Sequence, residues 1–301
     1  MISVENASPH DQQAGLGFYY HTYAAEERTA LIAEFNQADT QGDISLENLL
    51  IAKLQGAIVG VLLFHRQPDG SAFLWPPVVR HESLCDDIAK ALIESACEQL
   101  AASGTAYIQV LVEPEDTEAS STLLRNGFEI LSQLAYLQRS LKQPLPDRSE
   151  MLLQTVSYTP QLNDDQFAHV LEQTYLGTLD CPKFTAVRDG KQALYGHRFS
   201  GTFSPQQWKL YSLEGQNAGL LLMNDHDDQS AWEVVYMGVV PEFRGRGIGR
   251  SMLISGLYDV VDSGRDSVLL AVDCDNRFAL QIYQDIGFME LAERNVLIRN
   301  L

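Results

Sequence analysis

The stretch VVPEFRGRGIGRSML, residues 239–253, sets three glycines and three arginines between an apolar run and a helical pattern. Upstream, AWEVVYMGVV (231–240) is rich in β-formers and stops at Pro241, which cannot donate to a ladder. Downstream, Ile248, Met252, Leu253, Leu257, Val260 and Val261 recur at helical spacing. A glycine loop that leaves a strand and opens a helix gathers free backbone N–H groups and the positive helix end at one point. Arginines there add charge and forked donors. Such a loop is an anion site in the making, or else a tight turn with a solvated basic patch. It lacks the Lys-Ser/Thr of a phosphate-binding P-loop, and it is not a GxGxxG at the start of a dinucleotide fold.

The chain beyond it reads as α/β. SVLLAVD (267–273) is almost continuously apolar, as in a strand covered on both faces. Asn276 is placed to N-cap the helix RFALQIYQDI (277–286), which stops at Gly287. A last strand, Phe288 to Ile298, is expected to close the domain.

The pattern occurs twice. GFEILSQLAYLQRSL ends at 141 and GFMELAERNVLIRNL at 301, with Gly127/Gly287, Phe128/Phe288, Leu131/Leu291, Leu137/Leu297, Arg139/Arg299 and Leu141/Leu301 matching at an offset of 160. GAIVGVLLF from Gly56 resembles GQNAGLLLM from Gly215, and SAF at 71 resembles SAW at 230, both at an offset of 159. A spacing held this long marks a duplicated domain. LKQPLPDRSE (141–150), with its prolines and charges, is the natural linker. The expected organisation is a first domain 1–141, a linker 142–154 and a second domain 155–301.

Forty Asp and Glu against 21 Lys and Arg give a net charge of -19, which argues against a nucleic-acid partner and favours cationic substrates. Acidity also keeps a protein soluble, with no partner implied. The start, MISVENASPHDQQAG, is polar and acidic, so neither a secretory nor a transit signal is expected. The longest apolar runs, such as AIVGVLLF (57–64), are too short to cross a membrane. Four scattered cysteines (Cys85, Cys97, Cys181, Cys274) without CxxC spacing point to reduced thiols in the cytoplasm and to no metal site.

Two blocks resemble the GNAT superfamily of acyl-coenzyme A-dependent N-acyltransferases. The first is Val-x-Pro followed by Arg/Gln-x-x-Gly-x-Gly/Ala at a helix start, here Val239, Pro241, Arg244, Gly247 and Gly249. The second is Asn-x-x-Ala…Tyr-x-x-x-Gly-Phe, here Asn276, Ala279, Tyr283, Gly287 and Phe288. The resemblance covers about residues 155–301 and, more faintly through the repeat, 1–141. It implies tandem folds, each a mixed, splayed β-sheet flanked by helices.

The resemblance also implies a co-substrate, acetyl-coenzyme A, with a small-molecule amine as acceptor and direct transfer in a ternary complex. The pyrophosphate would sit on the loop Arg244, Gly245, Arg246, Gly247, Ile248, Gly249, Arg250, and the pantetheine arm beside Val239, Val240 and Asn276. Gly238 would mark the family's β-bulge. Acyl transfer needs a base for the amine, a donor for the developing oxyanion and a proton for the departing thiolate. Val239 N–H stands where the family places the donor, Tyr283 where it places the acid, and Glu233 at the spacing of the base in its histone-acetylating branch. Tyr175 and Asp180 fall in the acceptor loop, where Asp180 could hold an amine or merely form an Asx turn before Pro182. Cys181 has no histidine near it in sequence, and His197 and His226 read as surface loop residues. Projected onto the first half, Glu233 falls on Leu74, Asn276 on Asp116 and Tyr283 on Leu123. RHESLCDDIAK (80–90) replaces the glycine loop, and its carboxylates would repel a pyrophosphate. Two further readings stay open: a non-catalytic acyl-coenzyme A-binding module, and a protein or peptide acetyltransferase.

Overall fold

Both repeats run through one succession of elements, the strands Ser71–Leu74 and Val78–Val79 of the first standing where the second has one strand, in the computed structural model, which describes residues 2–42, 44–148, 151–183 and 189–301. The first begins with β1 (Ile2–Asn6), α1 (Pro9–Tyr19), α2 (Ala25–Gln41), β2 (Leu49–Leu54), β3 (Ala57–Arg66) and β4 (Ser71–Leu74). It continues with β5 (Val78–Val79), α3 (Cys85–Ala102), β6 (Tyr107–Val112), α4 (Thr117–Arg125) and β7 (Glu129–Ser140). The second begins with β8 (Gln154–Ser157), α5 (Asp164–Tyr175), α6 (Gly190–Gly196), β9 (Trp208–Leu213), β10 (Gln216–His226) and β11 (Ala231–Val239). It ends with α7 (Ile248–Val260), β12 (Ser267–Asp273), α8 (Arg277–Ile286) and β13 (Met289–Asn300). The architecture is the expected α/β class of mixed sheets with helices. No helix among the described residues is long and apolar enough to cross a membrane.

The chain forms two compact units, Met1–Ile130 with Asn295–Leu301, and Leu131–Arg294. In the first, the strand order is β1-β2-β3-β4-β6-β13; in the second it is β7-β12-β11-β10-β9-β8. One pair in each is parallel, β4/β6 and β11/β12, and the other pairs are antiparallel.

The closing strands are exchanged. Each repeat was expected to end on its own last strand. Instead β7 pairs with β12 from Leu134 to Ser140, and Asn295–Asn300 pairs with β6. The two strands share one side-chain pattern at the repeat offset, so each presents the same faces to the place the other would fill. Arg139 and Arg299 show the equivalence. Arg139 is 2% exposed and donates through Nε to the Ile286 carbonyl in the last turn of α8 (2.8 Å) and through Nη2 to Pro144 O (2.7 Å). Arg299 donates through Nη1 to Asn126 O at the end of α4 (2.8 Å). Each cation satisfies a carbonyl that a helix end leaves without a partner.

The register also corrects the projection of Glu233. Phe73 pairs with Gln109 as Glu233 pairs with Leu269, so Phe73 and not Leu74 is its counterpart. The SAF/SAW match is therefore one residue out of structural register. Either way, no carboxylate stands there.

In the second unit, Phe167, Trp208, Tyr211, Leu220, Met252 and Leu257 are buried in one core. Helices cover both faces of β11: Val239 faces α7, and Gly238 faces α5, where a Cβ would lie 2.6 Å from Thr174 Oγ1.

Candidate active site

The parallel pairing of β11 with β12 ends at Val234 and Leu270, while both strands continue. Opposite Leu222 and Met223 the β10/β11 register skips Val235. Such a bulge bends its strand and opens it from its neighbour. A wedge results between the C-terminal halves of β11 and β12. The bulge was expected at Gly238 and lies at Val235. Gly238 answers to packing, since a Cβ there would also meet the Tyr236 hydroxyl at 2.8 Å.

Val240 N–H donates to Ala218 O (2.9 Å). Antiparallel alternation then turns the N–H and C=O of Val239 to the opposite side, into the wedge that β12 has left. The Val239 carbonyl accepts from Arg244 Nε (3.0 Å). Its N–H is directed at whatever enters.

At the mouth of the wedge, Pro241–Phe243 make one 3-10 turn and the glycine loop follows. Gly245 and Gly247 have φ of 72° and 77°, a left-handed region that strains any side chain. Gly247 is the N-cap of α7, and no side chain caps the helix. Its first N–H groups, which have no carbonyl one turn back, stay available to an anion. The helix start lies against the site, since a Cβ on Gly249 would lie 3.5 Å from Val239 Cγ2 and 3.8 Å from Ile282 Cδ1 of α8. Ile248 and Val240 are buried beneath the loop, and the Arg250 side is exposed. Arg246 lies over the Phe243 ring at 5.4 Å. Arg244 differs from its sequence reading as a charged ligand. Besides Val239 O, its guanidinium donates to Gly177 O (3.1 Å) and Thr174 O (2.8 Å), clamping the end of α5 to the end of β11.

Asn276 N-caps α8, its Oδ1 accepting from Ala279 N–H (3.3 Å). Tyr283 follows two turns later, 5% exposed. Burial raises the pKa of its hydroxyl, with the Asp180 charge adding, so it stays protonated and keeps a proton to donate. Asp180 is held by accepting the Asp273 N–H (3.0 Å) at the end of β12, and burial raises its pKa too. It is thus neither a free amine clamp nor an Asx turn alone. Asp273 in turn accepts from Cys181 N–H (3.0 Å) and Ser132 Oγ (2.8 Å). Burial pushes the Cys181 thiol up to about 12, which removes it as a nucleophile. Tyr175 closes α5, its ring edge-on to Tyr236 at 5.9 Å.

Glu233 sits just before the bulge and is not solvated as a plain strand residue. Its Oε2 accepts from Ser200 Oγ (2.5 Å) and lies 2.7 Å from His226 Nε2. His226 was expected on a surface loop; it ends β10 half-buried, paired with this carboxylate. His197 lies with its ring 5.4 Å from that of Tyr236. Asn224, fully buried, holds the segment in place. It accepts from Trp208 Nε1 (2.7 Å) and donates to the carbonyls of His197 and Ser200 (2.7 Å each). Ser200 and Asn224 were not singled out in the sequence, and His226 was read there only as a surface residue. The one signal available was a polar Asn inside the apolar run GLLLMNDH (219–226).

A bulged wedge with a glycine-opened helix at its mouth defines a class, and comparison with known proteins agrees. Residues 175–288 match the Acetyltransferase (GNAT) family, so the chain carries a GNAT acetyltransferase domain. Over 90 residues it is 39% identical to a mycothiol acetyltransferase of Thermobifida fusca, a match covering 28% of each chain. The matched stretch thus spans little more than a quarter of that relative's length. A GCN5-related N-acetyltransferase from Sphaerobacter thermophilus shares the fold over 99% of this chain and 95% of its own, with a TM-score of 0.60 at 15% identity. A tandem GNAT protein from the clavulanic acid biosynthesis pathway aligns over 100% and 98%, with a TM-score of 0.50 at 12% identity.

Proposed function

We propose that the second unit transfers the acetyl group of acetyl-coenzyme A to a primary amine of a small molecule. The observation that carries this reading is the wedge at Val235–Val239, with the Val239 N–H turned into it and an uncapped helix start at its mouth. The fit to the co-substrate is local. Backbone amides of Gly245 to Arg250 would take the pyrophosphate, and Arg244 shapes their loop through three carbonyls. Asn276 keeps its Nδ2 for the pantetheine arm, since only Oδ1 serves the cap.

The co-substrate supplies an activated acetyl carbonyl. Glu233 takes a proton from the acceptor ammonium, whose nitrogen then bonds the carbonyl carbon. Val239 N–H donates to the carbonyl oxygen as charge develops on it. As the carbon–sulfur bond breaks, its electron pair stays on sulfur, which takes a proton from the Tyr283 hydroxyl. The second proton lost by the amine replaces the one that Tyr283 gives up.

The excess of carboxylates favours a cationic acceptor, and the resemblance to relatives named mycothiol acetyltransferase supports a small molecule as that acceptor. The test follows free thiol during incubation with acetyl-coenzyme A and a panel of amines that includes the mycothiol acetyltransferases' acceptor. Thiol release dependent on one amine supports the reading. Tight coenzyme A binding without turnover on any amine, peptide amines included, makes the unit a non-catalytic acyl-coenzyme A module.

A further inference from the structure

The Glu233 carboxylate uses its two oxygens unequally. Oε2 is bonded to both Ser200 Oγ and His226 Nε2, whereas Oε1 has no partner among the described residues. The arrangement is built rather than incidental. Asn224 fixes the Ser200 backbone, and Gly201 leaves room for the imidazole, since a Cβ there would lie 2.6 Å from His226 Nε2. The His226 and Glu233 side chains are only 15% and 26% exposed.

Other charged groups around the ring are accounted for. From β10 and the turn after it come Asp225, Asp227 and Asp228; from β11 comes Glu233. Arg265 takes both oxygens of Asp225 (2.7 Å each) and pairs with Asp227. Asp228 Oδ1 stands 4.0 Å from His226 Nδ1 at the exposed rim. The segment 200–202 offers Ser200 to the Glu233 carboxylate and Gly201 to the ring. Glu233 is therefore the closest carboxylate to the imidazole. Its hydrogen bond raises the His226 pKa above the ordinary histidine value, against a lowering by desolvation, and Asp228 and Asp225 add to the rise.

We infer that His226 is a positioning residue for the base: holding Oε2, it presents Oε1 to the acceptor amine, and its protonation switches the base off. This rests on reading the unit as an acetyltransferase with Glu233 as base. Beside an imidazolium the carboxylate has its charge compensated and takes a proton from an ammonium poorly. Once the imidazole is neutral, the carboxylate charge is uncompensated and the base is stronger. Turnover therefore rises as pH climbs through the His226 pKa.

The experiment measures kcat against pH for the wild-type chain and for His226→Gln, which keeps an N–H donor for Oε2 but cannot titrate. The expected result is an acid limb in the wild type with its midpoint above the ordinary histidine value of about 6.5, displaced downward by about one pH unit or more in His226→Gln. A merely structural histidine leaves the two midpoints coincident, and that outcome overturns the inference even if the variant is slower. A second measurement needs no acceptor and no variant at 226: the His226 imidazole is titrated by NMR in the wild type and in Glu233→Gln. Its pKa falls in the variant if the pair exists, and an unchanged titration overturns the inference whatever the kinetics show. Absence of turnover with every amine instead refutes the proposed function and, with it, the role given to His226.

Discussion

Two helices hold the same place in the two repeats, α7 after β11 and α3 after β5, and their N-termini are opposite in chemistry. Neither helix has a side-chain cap, but α7 opens on glycines with no acidic residue in its first turn. α3 opens with Asp86 and Asp87 in its first turn, and His81 Nδ1 accepts from the N–H groups of Ser83 (3.3 Å) and Leu84 (3.2 Å) just before it. Local carboxylates complement the helix dipole in one repeat; in the other the first turn carries none. The second block shows the same division. Asp116 caps α4 just as Asn276 caps α8, and Leu123 is buried as Tyr283 is. The first repeat keeps the cap and the core and has no hydroxyl. The cap and the filled core serve the fold in both repeats, whereas the proposed chemistry also requires a glycine-opened helix start and a protonated donor.

Removing the hydroxyl alone gives the largest expected effect. Tyr283→Phe keeps the packing that Leu123 also provides, so coenzyme A affinity holds while kcat falls by about 10²- to 10⁴-fold. Steady-state kinetics with a calorimetric binding curve separates the two quantities; an unchanged kcat removes Tyr283 from the acid role. Gly247→Asp makes the second repeat resemble the first by placing a carboxylate, and a strained φ, at the helix start. Coenzyme A binding weakens by about 100-fold, roughly 2.7 kcal/mol, while circular dichroism stays native. Unaltered affinity means the pyrophosphate lies elsewhere. Glu233→Gln leaves the Oε2 contacts a partner and removes the base, so kcat falls about 10- to 100-fold with the cofactor dissociation constant unmoved. A kcat unaffected at every pH assigns the proton to solvent.

Much of this contrast was legible in the sequence, because its elements are local. A glycine loop after Pro241, a cap at Asn276 and a helical tyrosine at 283 each depend on neighbours within a turn or two. Pairings between distant segments were not legible. Nothing around Glu233 signals that Ser200 and His226 will meet its carboxylate, since β10 brings one of them and a loop held by Asn224 the other. Arg244 reads as an anion ligand until α5 is folded against it and its donors find three carbonyls. The shift from Leu74 to Phe73 as the counterpart of Glu233 shows how a one-residue slip in an alignment, harmless in a loop, exchanges the two faces of a strand.

The exchange of the closing strands was hidden for a different reason: two strands with one pattern fit two slots equally well by sequence. A pair of substitutions reads which slot each occupies. Arg139 belongs to the first repeat but bonds the end of α8, and Arg299 belongs to the second but bonds the end of α4. Hydrogen exchange on Arg139→Ala should therefore loosen the C-terminal turn of α8 and spare α4. Arg139 is buried and its Ile286 carbonyl loses a charged donor, so the loss is about 2 kcal/mol of local stability. Arg299→Ala should loosen α4 and spare α8, by about 1 kcal/mol, since its bond is only partly buried. If each variant loosened the helix of its own repeat instead, each half would be closing on its own strand, and the composition of both units would have to be redrawn.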